Sequence, residues 1–247
     1  MRISLRWKRP APLDVLTPAM QWGRFCTWIK AVLKRPELLR NRERAWKIYA
    51  RVHDTLKTSE PIGRPSDQLA RFADHILQAH SSKPARYLEI GACQGHSTAF
   101  VYGILNGDAQ ITVIDPFVEF PETDDAIMRH AQEVFTANMK AMHAEGKVRI
   151  LKGRSIDYLP RLIDSGEQFD IIYIDGSHAT LDVLLDAALC WRLLPSAGLL
   201  IFDDYWYRRP DLGAGYRPKL AIDAFVGAMS HEIAVLDVAR QVFLRKK

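Results

Sequence analysis

Polar and apolar positions along this chain fall into two regimes. Before residue 57, apolar side chains recur at helical spacing among basic ones: Trp22, Phe25, Ile29, Val32 and Leu33, with Arg24, Lys30 and Lys34 between them. That period predicts a helix, and a second is expected over Glu37–Leu56. The stretch "KTSEPIGRPS" (57–66) has the Pro, Gly and Ser content of a linker. From Asp67 onward, helical periods alternate with short continuous apolar runs. Helices are expected over Asp67–Ala79, "HSTAFVYGIL", Asp124–Glu145, Ile156–Asp164, "ATLDVLLDAALCWRLL" and "KLAIDAFVGAM". Strands are expected at "ARYLEIG", "QITVID", "KVRILKG", "FDIIYID" and "GLLIFDD", with "EIAVLDVA" and "QVFLRK" closing the chain.

Strands that are apolar throughout, each followed by a helix, mean a parallel sheet covered on both faces. The last two strands lie too close in sequence for a crossover helix, so they must pair antiparallel. The expected fold is therefore α/β: a Rossmann-like, doubly wound, mostly parallel seven-stranded sheet. Its last strand is antiparallel, and a helical N-terminal extension precedes it.

Composition refines the division. With 247 residues, 48% hydrophobic, the chain can bury one full core plus an extra segment. Residues 1–57 hold 14 Lys/Arg against 4 Asp/Glu; the remainder holds 20 against 25. The net +5 thus belongs to a basic arm, and the body is acidic. We divide the chain into a basic helical extension (1–57) and a main domain (58–247). An acidic body makes a poor phosphate track, so no nucleic-acid partner is expected. The arm suits an anionic membrane surface, the main domain itself or a second copy in a homo-oligomer. Cys26, Cys93 and Cys190 are odd in number and show no metal or disulfide spacing, which suggests a reducing compartment. No apolar run approaches the roughly 20 residues needed to span a bilayer. "MRISLRWKRPAP" does not read as a signal peptide. The expectation is a cytoplasmic protein, with peripheral contact at the inner membrane surface left open.

In open α/β sheets, ligands bind at the carboxyl ends of the strands. The first strand ends "YLEIGACQGHST". Its glycines, Gly91 and Gly95, let the backbone approach a ligand at a helix N-terminus. The spacing is not the G-x-G-x-x-G of dinucleotide sites, which argues against NAD. The second strand ends in Asp115, where a carboxylate can accept hydrogen bonds from a ribose diol. After the third, Ser155 could cap the next helix or face an adenine ring. The fourth ends in Asp175 and the fifth in Asp203 and Asp204. On neighbouring strands these three carboxylates repel unless a cation joins them, and all-oxygen ligands favour Mg²⁺, Mn²⁺ or Ca²⁺. His178 stands one turn beyond Asp175, and imidazole is the side-chain type suited to act as a base.

Taken together, "YLEIGACQGHST", "TVIDPF", "KGRSIDYLP", "YIDGSHATLDVLLDAALCWRLLPSAGLLIFDDYWY" and "RPKLAIDAF" resemble the class I S-adenosylmethionine-dependent methyltransferases. The nearest resemblance is to the small bacterial metal-dependent O-methyltransferases of the macrocin and mycinamicin sugar group. It covers roughly residues 60–247. It implies a cofactor site formed by Glu89, Gly91, Ala92, Gly95, His96 and Ser97, by Asp115 and Pro116, and by Ser155 and Asp175. It implies Asp175, Asp203 and Asp204 as magnesium ligands, with His178 and Asp175 as catalytic residues. Catechol-type members carry Asp-Asn at the fifth strand and a lysine near the fourth-strand aspartate. This chain has Asp-Asp and lacks that lysine, which argues against a catechol acceptor.

The expected activity is transfer of a methyl group from S-adenosyl-L-methionine to a hydroxyl, with Mg or another hard divalent cation. The expected acceptor is a sugar-containing or other small metabolite, a glycan or a glycolipid. The alternatives are a metal-independent N- or nucleic-acid methyltransferase and a non-catalytic, membrane-recruited nucleotide-binding protein. "YWYRRPDLGAGYRP" (205–218) and "PFVEFPETDD" (116–125) are candidate acceptor loop and lid.

Overall fold

The computed structural model describes residues 35–57, 67–79, 84–118 and 125–247, with Pro18, Met20, Gln21 and Phe25 as single positions. Most of the first expected helix, the linker over 58–66 and most of the expected lid lie outside the described residues. Described elements begin with α1 (Arg35–His53) and α2 (Asp67–Ala79). Then β1 (Ala85–Ile90), α3 (His96–Ile104), β2 (Ala109–Asp115), α4 (Asp125–Ala144) and β3 (Val148–Lys152) follow. Next come α5 (Ser155–Asp164), β4 (Ile171–Ile174), α6 (Thr180–Leu193) and β5 (Leu199–Phe202). A short 3₁₀ turn (Pro210–Leu212), α7 (Pro218–Ala228), β6 (Ile233–Val238) and β7 (Val242–Lys246) close the chain.

The seven strands order as β3-β2-β1-β4-β5-β7-β6. β1 pairs parallel with both β2 and β4, β2 with β3, and β4 with β5. β7 is antiparallel to both β5 and β6, as the short final connection demands. It slips between them, so the chain reaches the sheet edge at β6 before turning back. Strand order reverses at β1, which places the switch-point crevice between the carboxyl ends of β1 and β4.

Both faces are buried because each strand alternates its side chains between two cores. Leu88, Ile172, Leu200 and Leu244 face one cluster, which α5, α6 and α7 cover. Tyr87, Ile171, Leu199 and Phe243 face the other, under α1 to α4. Basic α1 is part of that second core through Ala45 and Ile48. It lies tightly on α3: a Cβ at Gly103 would stand 2.8 Å from Val52 Cγ2 and 3.1 Å from Ile48 Cγ2. Among the described residues no helix is long and apolar enough to cross a membrane.

Candidate active site

At the switch point a cavity of about 340 Å³ opens over the strand ends. Gly91, just past β1, makes it possible. Its φ is +83°, and a Cβ there would stand 2.2 Å from the carbonyl oxygen of Asp175. With no side chain at Gly91, β1 and β4 stay in contact to their ends, and Asp175 N–H donates to Ile90 C=O at 2.8 Å. The two candidate motifs thereby meet.

Asp115 closes the glycine turn from β2. Its Oδ2 accepts the N–H groups of Ala92 (2.7 Å) and Cys93 (2.9 Å), and its Oδ1 accepts that of Phe117 (2.6 Å). Gly91, Asp115, Pro116, Ser155 and Asp175 line the cavity. Glu89, Ala92, Gly95, His96 and Ser97 are not among its lining residues. Glu89 is wholly buried; Ser97 Oγ donates to its Oε1 and Thr98 Oγ1 to its Oε2 at 2.6 Å. Burial pushes this carboxyl up to about 7, against the pull of the two hydroxyls. His96 Nε2 is buried without a hydrogen-bond partner among the described residues. Burial and then the nearby His53 push that imidazole down to about 4, so it stays neutral.

Ser155 is not the cap that its position suggested. The chain is still extended at Arg154, which takes the N-cap place without a side-chain cap bond, and Ser155 is already helical. Its hydroxyl instead bonds the carboxyl of Asp186 on α6. Asp186 is buried on the cavity wall, and desolvation pushes it up to about 7.

The acidic end has a defined order. Ligand atoms of Asp175, His178 and Asp204 all lie within 4.8 Å of one another. His178 Nε2 donates to Asp204 Oδ2 at 2.9 Å, and its ring stacks on Tyr207, centroids 4.1 Å apart. Asp204 has φ +54°, a left-handed turn that an aspartate tolerates, and it swings the carboxylate off the line of β5. Asp203 is engaged behind this group. Tyr173 OH and Gln241 Nε2 (3.0 Å) donate to its Oδ2, and Asp204 N–H donates to its Oδ1 at 2.6 Å. Tyr173 OH is also 3.1 Å from Asp175 Oδ2, so one hydroxyl hydrogen serves two carboxylates. Burial, then the charges of Asp203 and Asp204, push Asp175 well above the usual carboxylate range. Burial raises Asp204 as well, but the hydrogen bond from His178, joined by the Arg240 guanidinium, outweighs it and holds Asp204 low.

The donor chemistry fits a divalent cation: two carboxylates and an imidazole converge, with a third carboxylate alongside. Sequence reasoning missed four contributors. Tyr173 lies two positions before Asp175 on one strand face, a signal present in the period-2 pattern. Tyr207 stood inside an aromatic loop with nothing to single it out. Gln241 and Arg240 reach the site only because β7 lies beside β5. The loop over 205–217 turns Tyr205 and Tyr207 inward, and both are buried. Tyr205 is wholly buried and donates to Asp223 Oδ1 at 2.7 Å. Thr180 ties the loop to α6, its N–H donating to Gly215 C=O at 2.7 Å and its Oγ1 to Arg217 C=O at 3.0 Å.

The fold is the Rossmann-like fold of class I S-adenosylmethionine-dependent methyltransferases, as the motifs suggested. Residues 88–205, just under half of the chain, match the family model described as a methyltransferase domain. Among curated proteins, O-methyltransferase hkm8 of Aspergillus hancockii is 30% identical over 161 residues, which is 64% of this chain and 57% of the relative. Among solved structures, the MycE methyltransferase of the mycinamycin biosynthetic pathway, in complex with Mg, SAH and mycinamycin VI, superposes with a TM-score of 0.55. It is 18% identical, over 82% of this chain and 54% of that one. An O-methyltransferase from Bacillus cereus in complex with SAH gives a TM-score of 0.53 at 15% identity, over 92% of this chain and 100% of its own. The chain thus spans little more than half the length of hkm8 and of MycE.

Proposed function

We propose that the protein is an S-adenosylmethionine-dependent O-methyltransferase that uses Mg²⁺ or a similar hard cation. Its acceptor would be a hydroxyl of a sugar-containing or other small metabolite. The observation that carries this reading is the His178–Asp204 pair, set beside Asp175 in a cavity that Gly91 and Asp115 also line. MycE, with Mg, SAH and mycinamycin VI in one complex, supports the same combination.

Asp115 would take the ribose hydroxyls through Oδ1, which accepts one backbone N–H and keeps a lone pair, whereas both lone pairs of Oδ2 are used. Gly91 and Cys93 would border the methionine end, and Ser155 the adenine. Bound S-adenosylmethionine supplies an electrophilic methyl on a sulfonium, and the protein's task is to align an oxygen with it. Asp175 and Asp204, with His178 or Asp203 as third donor, would hold the cation, which would supply Lewis acidity toward the acceptor hydroxyl. Asp204 orients the His178 imidazole by accepting from Nε2, and His178 would take the proton of the acceptor hydroxyl. The stacked Tyr207 ring keeps that imidazole from turning. Residues 1–57 would serve as an extension that supports the main domain through α1.

Calorimetric titration of S-adenosylmethionine, with Mg²⁺ and then with EDTA, and of NAD as control, tests the reading. Binding of the first and not of NAD, followed by Mg²⁺-dependent turnover on hydroxylated sugars, is the expected result. No binding under any condition would overturn it.

A further inference from the structure

The acidic end of the cavity already contains a cation of its own. Arg240 stands in the turn between β6 and β7, and the insertion of β7 beside β5 brings that turn against Asp203 and Asp204. The main chain fixes it there, since Tyr205 N–H donates to Arg240 C=O at 2.8 Å. From this anchor Nε and Nη2 both donate to Oδ1 of Asp204, at 3.1 and 2.9 Å. Nε is also 3.7 Å from Oδ1 of Asp203. The other oxygen of Asp204, Oδ2, is the one that faces His178. One carboxylate therefore bridges the guanidinium and the group of side chains suited to a divalent ion.

That arrangement sets two cations in competition. A guanidinium does not deprotonate in a protein, so its charge cannot be shed when an ion arrives. A divalent ion seated at Asp204 would stand within a few ångströms of it, and like charges at that range oppose each other. With Oδ1 held by two N–H groups, Asp204 also has less to offer the ion. The side chain of Arg240 is 42% exposed on the cavity wall, so it can move to solvent while its backbone stays bonded to Tyr205.

We propose that Arg240 is a tethered counter-cation that competes with the divalent ion for Asp204. It neutralises the acidic group when no ion is bound, and the ion displaces it. This rests on the reading that the group binds a divalent ion at all, and the test separates the two.

Mn²⁺ is titrated into the full-length protein and into Arg240→Gln and Arg240→Lys, with free Mn²⁺ followed by electron paramagnetic resonance. Arg240→Gln should bind Mn²⁺ roughly tenfold more tightly than the parent, since the half-exposed charge that opposes the ion is gone. Arg240→Lys should fall between the two, because an ammonium lacks the two-pronged hold. In EDTA, Arg240→Gln should melt several degrees below the parent, and saturating Mn²⁺ should close that gap. Affinity equal to or weaker than the parent's in either folded variant overturns the proposal and makes Arg240 a support of the ligand geometry. Absence of Mn²⁺ binding in parent and variants alike overturns it together with the metal reading. S-adenosylmethionine binding, measured separately, still decides the methyl-transfer reading in that case.

Discussion

His178 carries two roles that its surroundings allow, proton acceptor and metal ligand, and one substitution separates them. Replacing it with Asn keeps a polar side chain of smaller size and removes the basic nitrogen. As the base, His178→Asn should lower turnover by about 10²-fold or more. It should leave the S-adenosylmethionine dissociation constant unchanged, because His178 is not among the expected cofactor-binding residues. Mn²⁺ affinity should also stay near the parent value; a large loss would make the ring a ligand instead. Asp115 gives a contrasting case. Its two oxygens accept three backbone N–H groups, and Asn can offer only one accepting oxygen. Asp115→Asn should leave at least one N–H of the turn without its partner, at a cost of about 1–3 kcal/mol. It should weaken S-adenosylmethionine at least tenfold, as read by calorimetry and a urea titration.

At the scale of elements, the close passage of β1 and β4 is the most sensitive joint. Gly91→Ala places a methyl 2.2 Å from a backbone oxygen, and the backbone at φ +83° already disfavours any side chain. Neither partner is a flexible side chain, so the strands must part. A loss of about 4 kcal/mol or more is expected, beyond the range of most substitutions, and chemical denaturation would measure it. The sequence marked Gly91 as a point of close approach, but to a ligand; that it meets the end of β4 was not legible. The strands and the helices from Asp67 onward were legible: continuous apolar runs and 3.6-residue periods follow directly from burial on one or two faces. The insertion of β7 was not legible. A hairpin's pattern fixes that its strands pair antiparallel, but not which strand meets the rest of the sheet. Everything that depends on that choice was hidden with it: Arg240 against Asp204, and Gln241 against Asp203. Ser155 misled for a different reason. A serine at a helix start reads as a cap, and only the packing of α5 on α6 shows that its hydroxyl goes to Asp186.

For the molecule as a whole, two buried carboxyls away from the candidate metal ligands tie stability to pH. Glu89 on β1 and Asp186 on α6 are both pushed up to about 7, by desolvation first in each case. In the unfolded chain each would titrate near 4. Between about pH 4 and 7 the folded state therefore binds protons that the unfolded state has released, and stability must fall as pH rises through that window. Below it both states are protonated and the contribution is fully present; above it the loss levels off. Each group contributes on the order of 1–4 kcal/mol to the fall, the upper bound being set by the full shift. Asp186→Asn keeps an oxygen for the Ser155 hydroxyl, and Glu89→Gln keeps one for Ser97 or Thr98. Neither can ionise. Urea midpoints without ligand, taken at pH 5.5 and pH 8, should therefore converge for Asp186→Asn compared with the parent. The variant should match or exceed the parent at pH 8 and gain nothing at pH 5.5. Glu89→Gln should show the same flattening from a lower starting stability, since its amide can accept from only one of the two hydroxyls. A parent whose stability is flat between these pH values would mean that both carboxyls are ionised in the folded state. The hydroxyls of Ser97, Thr98 and Ser155 would then outweigh desolvation.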